Sequence, residues 1–332
     1  MKEGTYMSTP TISVITPFYN CEKDVQPFID NFNKASAGLS TELLLIDDGS
    51  SDRTRSLIRH AAEKQSNIHA LAQQHLFQSA ARNKGMANAN GKYFLFLDVD
   101  DRFSTRLFQQ MIAKIEQHDL VICGINRVLK NNTLNMSHSV LEGASSKEEL
   151  AKRFLLTRDQ MDSGLWNKIF KADIINKNRL QFTNKNFVED ILFLFKYLMC
   201  INPQRIAYIH EPLYTYYQNS GTTTTTYYPE LDQLAKSYVS QVDKCLADHH
   251  IASRAELVAN TFVRTEVYVL HRHILGDAKW NANKQKKFLS QLSNQLKNSS
   301  QLLPIKYRLG LIAMQFAPRL YIVTYRAYKH VH

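Results

Sequence analysis

The stretch Lys92-Tyr-Phe-Leu-Phe-Leu-Asp98-Val-Asp100-Asp101 ends an apolar run of strand length in three carboxylates, interrupted by one small apolar residue. A run so rich in aromatic and branched side chains predicts a buried strand, so its acids emerge where the chain leaves the core. On an extended chain Asp98 and Asp100 project to the same side and can converge on a divalent cation and the phosphates it carries. An isolated Asp-x-Asp would read instead as a turn and helix cap ahead of Ser104. The residues upstream decide against that.

Residues 11–16 (TISVIT) form a β-branched run ending at Pro17, and residues 42–46 (ELLLI) a second, ending at Asp47-Asp48-Gly49-Ser50. Both predict parallel strands. Residues 25–35 between them carry helical spacing, and the segment after Ser51 opens on a capping residue and continues with helix formers. Residues 68–72 predict a third strand, 79–89 a helix, 93–97 the fourth strand, 106–117 a helix and 119–125 a fifth strand. Such alternation predicts a parallel α/β sheet with helices on both faces.

Beyond about Leu141 the rhythm changes. Residues 147–156 predict a helix, 165–170 a short mixed segment, and 188–199 an amphipathic helix with Glu189 and Asp190 in its first turn. Residues 205–209 and 213–217 predict a strand pair. From Tyr228 the pattern is helical, over 230–248, 254–275, 285–297 and 303–315.

With 332 residues the chain can bury a large core, in one or two domains. The net charge of +11 is unevenly spread: after Asp277 ten Lys and Arg occur with no acid, while the remainder is nearly neutral. That asymmetry predicts an appended surface that meets something anionic, lipid or nucleic acid. Cys21, Cys123, Cys200 and Cys245 show no metal-ligand spacing and fit a reduced compartment. Residues 1–10 lack an apolar signal core, and the longest apolar candidate, residues 309–317, stops at Pro318 and Arg319. The expected location is therefore the cytoplasm.

Four elements now stand in order: strand then Pro17-Phe-Tyr19-Asn20, strand then Asp47-Asp48-Gly49-Ser50-Ser51-Asp52, Ser79-Ala-Ala-Arg82-Asn83-Lys-Gly85, and strand then Asp98-Val99-Asp100-Asp101. In these the sequence resembles the family 2 glycosyltransferases, which have the GT-A fold and use nucleotide-sugar donors. Trp166-Asn167-Lys168-Ile169-Phe170 and Val188-Glu189-Asp190-Ile191 extend the likeness to members that build bacterial wall teichoic acid, capsule and exopolysaccharide. Each motif is weak alone; their order and spacing carry the resemblance.

The resemblance implies roles. Pro17 and Tyr19 would contact the base, Asp48 would accept from the uracil N3–H, and Arg82 would reach the uracil or the diphosphate. Asp98 and Val99 would border the ribose, and Asp100 would ligate Mn²⁺ or Mg²⁺ between the phosphates. His75 stands where the family often has Asn, with Gln74 the next choice. Glu189 and Asp190 form the family's acidic pair, with Asp190 as the base. Lys168 would steady its loop or the leaving diphosphate, and Trp166 would be a sugar platform or core. Tyr217 takes the position of a diphosphate-closing Arg, followed by neutral threonines.

The implied organisation is a GT-A domain over 1–226, with a nucleotide-binding part over 10–125 and an acceptor part over 140–226, then a helical basic region over 227–332. The implied reaction moves a sugar from a UDP-sugar to a hydroxyl of a glycan or polyol-phosphate acceptor, lipid-linked or not. A sugar nucleotidyltransferase would need a Gly-rich basic loop after the first strand, and residues 17–21 contain no glycine. A nucleic-acid-binding protein would leave the Asp98 and Asp190 motifs without purpose.

Overall fold

The computed structural model describes residues 10–130, 132–183, 187–217, 230–299 and 305–331. The chain divides into two compact units, residues 1–219 and 220–332.

The first unit opens with β1 (Ile12–Phe18), α1 (Glu22–Ala35), β2 (Thr41–Asp47), α2 (Thr54–Lys64), β3 (Ile68–Ala72), α3 (Phe77–Asn88) and β4 (Tyr93–Phe96). These strands run parallel in the order β3-β2-β1-β4. Strands β1 and β2 are buried on both faces and largely apolar, as strands covered by helices on both sides are. Chain order moves outward from β1 to β3 and then returns across β1 to β4. Right-handed crossovers therefore put α3 on the face opposite α1 and α2. Gly85 lets α3 lie directly on the sheet, because a Cβ there would come within 2.4 Å of Ile15.

The rest of the unit adds β5 (Arg102–Phe103), α4 (Leu107–Ile115), β6 (Leu120–Leu129), β7 (Asn132–Met136), α5 (Lys147–Thr157), α6 (Gln160–Ser163), β8 (Lys168–Lys171), α7 (Ala172–Lys177), α8 (Glu189–Cys200) and β9 (Ile206–Tyr217). The sheet is mixed rather than wholly parallel, since β8 runs antiparallel to both β4 and β6. Strand β9 is one continuous strand, not a pair, and lies parallel to β6. The polar strand β7 has no apolar alternation to betray it and forms by pairing with β6. Helix α8 is not amphipathic either: Leu192, Phe193, Leu194, Phe195, Tyr197, Leu198 and Met199 are all buried. Its position is set by aromatic packing, with Phe193 edge-on to Phe96 of β4 at 5.7 Å and to Phe170 of β8 at 6.0 Å. That contact brings the carboxyl end of β4 beside the first turn of α8.

The second unit contains α9 (Leu231–Asp248), α10 (Arg254–Gly276), α11 (Ala282–Ser299), α12 (Ile305–Phe316) and α13 (Pro318–Val331). Val263, Val267, Leu270, Ile274, Trp280, Leu289, Met314 and Ile322 form its core, with Tyr321 and Tyr325 packed at the edge. Pro318 occupies the first position of α13, where a missing N–H costs nothing, and so divides the basic tail into two helices. No described helix is long and apolar enough to cross a membrane.

Candidate active site

The carboxyl ends of β1 to β4 lie along one edge of the sheet, and the order β3-β2-β1-β4 reverses between β1 and β4. An open α/β sheet has its natural crevice at such a reversal. Tyr19 follows β1, Asp48 follows β2, His75 follows β3 and the Asp98–Asp101 turn follows β4.

Arg82, on α3, joins two of the acidic segments. Its guanidinium donates to Asp98 Oδ1 at 3.2 Å and to Glu189 Oε1 at 3.1 Å, and stacks over Phe182 at 5.5 Å. Burial opposes its charge, but Asp98, Glu189 and Asp190 together outweigh that and hold its pKa above the ordinary arginine value. Arg82 is 5 % exposed, so the expected reach to uracil or diphosphate gives way to an internal clamp between β4 and α8. Two of its nitrogens are spent on these carboxylates, while its buried Nε has no hydrogen-bond partner among the described residues.

The clamp sets the acidic pair. Val188, just before α8, has φ of +48°, a left-handed conformation that a β-branched residue rarely adopts. After that turn Glu189 is 7 % exposed against Arg82, whereas Asp190 is half-buried and accepts from the Ile191 N–H at 2.8 Å. Burial, with the neighbouring acid next, raises the Glu189 pKa; burial likewise raises that of Asp190, opposed by Arg82.

Asp98, Val99 and Asp100 do not continue the strand; they enter a turn closed by Asp101 N–H donating to Asp98 O at 3.4 Å. Asp100 is exposed at its tip, and desolvation of its carboxylate, with the Asp98 charge second, pushes its pKa up to about 6. Asp101 turns inward, where Tyr214 O–H donates to Oδ2 at 2.8 Å and Tyr217 N–H to Oδ1 at 2.9 Å. Its burial, then Asp98, raises it to about 8. Tyr217 thus meets the acidic turn through its backbone, and the threonines after it lie outside the described residues.

Asp48 departs from expectation. Rather than standing free for a base, its carboxylate accepts from Gln73 Nε2 at 2.7 Å, Leu76 N–H at 2.9 Å and Phe77 N–H at 2.9 Å. His75 Nδ1 lies 2.9 Å from its Oδ2. The buried acid caps the start of α3, whose first N–H groups need an acceptor. His75 stacks on Tyr19 with ring centroids 4.1 Å apart, while Gln74 is exposed and Pro17 half-buried within β1. Gly49, at φ +79°, leaves room for this loop, as a Cβ there would fall 2.8 Å from His75 N.

Lys168 and Trp166 resolve toward structure. The Lys168 ammonium, fully buried, donates to Met161 O, Gly164 O and Asn167 Oδ1 at 2.7, 2.6 and 2.8 Å. Burial lowers its pKa to about 8. It ties the 161–167 loop and cannot meet a diphosphate. Trp166 is sandwiched between Tyr214 and Tyr216 at 4.7 and 5.3 Å, which makes it core rather than a sugar platform. Gln73 and Phe182 lie outside every sequence motif, whereas Tyr214 opens the segment that leads to Tyr217 and reads there only as a strand residue.

The chain belongs to glycosyl transferase family 2, whose model matches residues 13–178. It is 22% identical over 292 residues to the putative glycosyltransferase EpsH of Bacillus subtilis, covering 87% of this chain and 83% of that one. Its fold is similar to S. aureus TarS, residues 1–349, in complex with UDP-GlcNAc, at a TM-score of 0.64 and 19% identity, covering 97% of this chain and 92% of that one. It is also similar to the mannosyltransferase PcManGT of Pyrobaculum calidifontis in complex with GDP-Man and Mn2+, at a TM-score of 0.51 and 13% identity over 95% and 88% of the two chains. The architecture is the GT-A fold with a helical C-terminal portion.

Proposed function

We propose that the protein is an inverting, metal-dependent glycosyltransferase that moves a hexose or N-acetylhexosamine from a UDP-sugar to a hydroxyl of a cell-surface glycan or polyol-phosphate acceptor. The observation that carries this reading is the Arg82 clamp, which gathers the Asp98 turn and the Glu189-Asp190 pair into one cluster at the sheet's switch point. Asp190 takes the acceptor proton as the acceptor oxygen forms its bond to the anomeric carbon. The bond from that carbon to the diphosphate breaks, and its electron pair leaves with UDP. Burial, with the Asp98 charge behind it, keeps Asp190 basic against the pull of Arg82, and Glu189 is held beside it by Arg82.

The carboxylates fit a hard divalent cation. Asp98 and Asp100 supply oxygen donors, and the Asp100 carboxylate is raised by desolvation first and by the Asp98 charge second, both of which a bound cation would offset. Asp100 would hold Mn²⁺ or Mg²⁺, which when bound supplies charge neutralisation on the departing diphosphate. Among the described residues no three carboxylates here converge within 4.8 Å, so the remaining ligands would come from the donor. The TarS complex with UDP-GlcNAc and the PcManGT complex with Mn2+ support the UDP and metal choices by likeness of fold.

The C-terminal helices are proposed to meet a membrane surface. Leu309, Ile312, Phe316, Leu320 and Val323 are all exposed, Phe316 by 79 %, at helical spacing along α12 and α13. They accompany ten basic residues and no acid after Asp277. Apolar residues interleaved with cations fit an anionic leaflet, where a lipid-linked acceptor would lie.

The test is a thermal-shift titration with UDP, GDP and Mn²⁺, followed by a UDP-release assay with UDP-sugars. Stabilisation by UDP that deepens with Mn²⁺ is expected. No shift with UDP in either condition, or a larger one with GDP, would overturn the donor.

A further inference from the structure

We propose that His138, Glu142 and His210 form a transition-metal site, fit for Zn²⁺, separate from the carboxylate centre. One ligand atom from each lies within 4.8 Å of the other two. His210 Nε2 is 2.8 Å from Glu142 Oε1, and His138 Nδ1 is 3.5 Å from Glu142 Oε2. Tetrahedral Zn²⁺ with bonds of ~2.0–2.1 Å holds its ligand atoms roughly 3.3 Å apart, close to these spacings. Two imidazoles and one carboxylate select Zn²⁺ and its borderline neighbours over Mg²⁺ or Ca²⁺, which take all-oxygen sites. Water would complete the sphere, as both histidines are exposed.

The backbone invests in this convergence. In the β6/β9 ladder Cys123 pairs with Ile209 and Gly124 with Pro212, which leaves His210 and Glu211 as a bulge. Bulges re-aim side chains. Gly124 is required there, because a Cβ would fall 2.9 Å from Glu211 O. The result sends Glu211 to Arg106 and His210 to Glu142.

The opposing ligands sit on an anchored connection between β7 and α5. Ser139 Oγ donates to buried Asp162 at 2.5 Å, and Leu141 is 1 % exposed. Arg153 donates to the carbonyls of Val140 and Glu142 at 3.3 and 2.5 Å. The imidazoles lie with centroids 4.4 Å apart, a contact that a cation shared between their nitrogens makes favourable. Bound metal would cross-link the 138–142 connection to the bulge, four residues before Tyr214.

The test uses untagged, chelator-treated full chain titrated with Co²⁺ and Zn²⁺. Wild type should bind one equivalent, giving Co²⁺ visible d–d absorption without a thiolate charge-transfer band, and Zn²⁺ should displace it. His138→Gln and His210→Gln should each lose that absorption and weaken Zn²⁺ at least as much as loss of an outer-shell partner, ~10–100-fold. Both positions are exposed, so metal-free melting should be unchanged in both variants. Asp100→Asn should keep the signal, which separates this site from the proposed donor site. A signal that survives in both histidine variants, or no saturable binding by wild type, overturns the proposal.

Discussion

The Tyr214 hydroxyl donates to Asp101 at 2.8 Å, and so fastens strand β9 to the turn that carries Asp98 and Asp100. Tyr214 also stacks on Trp166 and is fully buried. Tyr214→Phe keeps the stacking and removes one donor from a buried acid, at a cost of about 1–3 kcal/mol. Thermal melting should fall by several degrees, and metal-stimulated UDP-sugar turnover should fall more than UDP binding. Unchanged melting and turnover would show that the contact does no positioning.

Asp190→Asn should abolish transfer and leave UDP affinity nearly intact, because its proposed partner is the acceptor. Calorimetry with UDP beside a transfer assay checks both halves. Glu189→Gln should do something different: it breaks the pair with Arg82 inside the fold and should lower melting as well as turnover. Full activity in Asp190→Asn would remove the assignment of the base.

Lys168→Met should destabilise by about 2–4 kcal/mol, since three oxygens lose a charged donor they cannot replace. UDP affinity of the folded variant should match wild type. Weaker UDP binding at unchanged melting temperature would instead mean that Lys168 reaches the diphosphate.

Stability should also depend on pH in a defined direction. Asp100 and Asp101 are raised to about 6 and about 8, and Glu189 and Asp190 are raised as well. Carboxylates with raised native pKa values hold protons that the unfolded chain has released, so their contribution is full below about pH 4 and is lost as pH climbs toward 8. Lys168, held down to about 8, acts above that window. The first unit should therefore melt higher at pH 6 than at pH 8 without metal, and Mn²⁺ should stabilise it more at pH 8. Asp101→Asn should flatten the slope; an unchanged slope would contradict the assignment.

For the tail, full-length protein should co-sediment with anionic vesicles in a salt-sensitive way, and a truncation after Ser300 should not. Phe316→Asp with Leu320→Asp should weaken binding while the packed face, with Tyr321 and Tyr325 against α10, stays intact. Equal pelleting of all forms would exclude the stripe as the docking face. Self-association through it would appear as a concentration-dependent mass that the double variant loses.

Much of the parallel half of the sheet was legible because period, caps and punctuation agreed there: residues 68–72 match β3 at both ends. The mixed half was not, because β7 is polar and pairs only through β6, and β9 runs through Pro212 where local reading stops a strand. Motif positions brought Asp98, Asp100, Glu189 and Asp190 to one place, but not the direction each side chain takes. Arg82 reads as a ligand-facing cation, and Lys168 as one that steadies its loop or meets the diphosphate, because the burial of both is decided by long-range packing of α3 and of residues 161–167. In the tail, sequence shows the basic excess but not which apolar residues face out: Tyr321 and Tyr325 pack inward, whereas Leu309, Ile312, Phe316, Leu320 and Val323 are exposed.

The capped state of Asp48 has a consequence for nucleotide entry. A carboxylate has about four lone-pair positions; Gln73, Leu76 and Phe77 use three, and His75 Nδ1 covers the rest, 2.9 Å from Oδ2 and 3.1 Å from the Asp48 carbonyl oxygen. In the proposed UDP complex a uracil N3–H would bond to Asp48 by trading places with one of these groups, which would make recognition there an exchange rather than an addition. The cheapest to release is His75, whose ring is exposed and lies against Tyr19. Swinging that imidazole aside would open, in one motion, both an acceptor for the base edge and an aromatic face for its ring. Discrimination against other bases would then reside in whether a newcomer repays the bond it displaces.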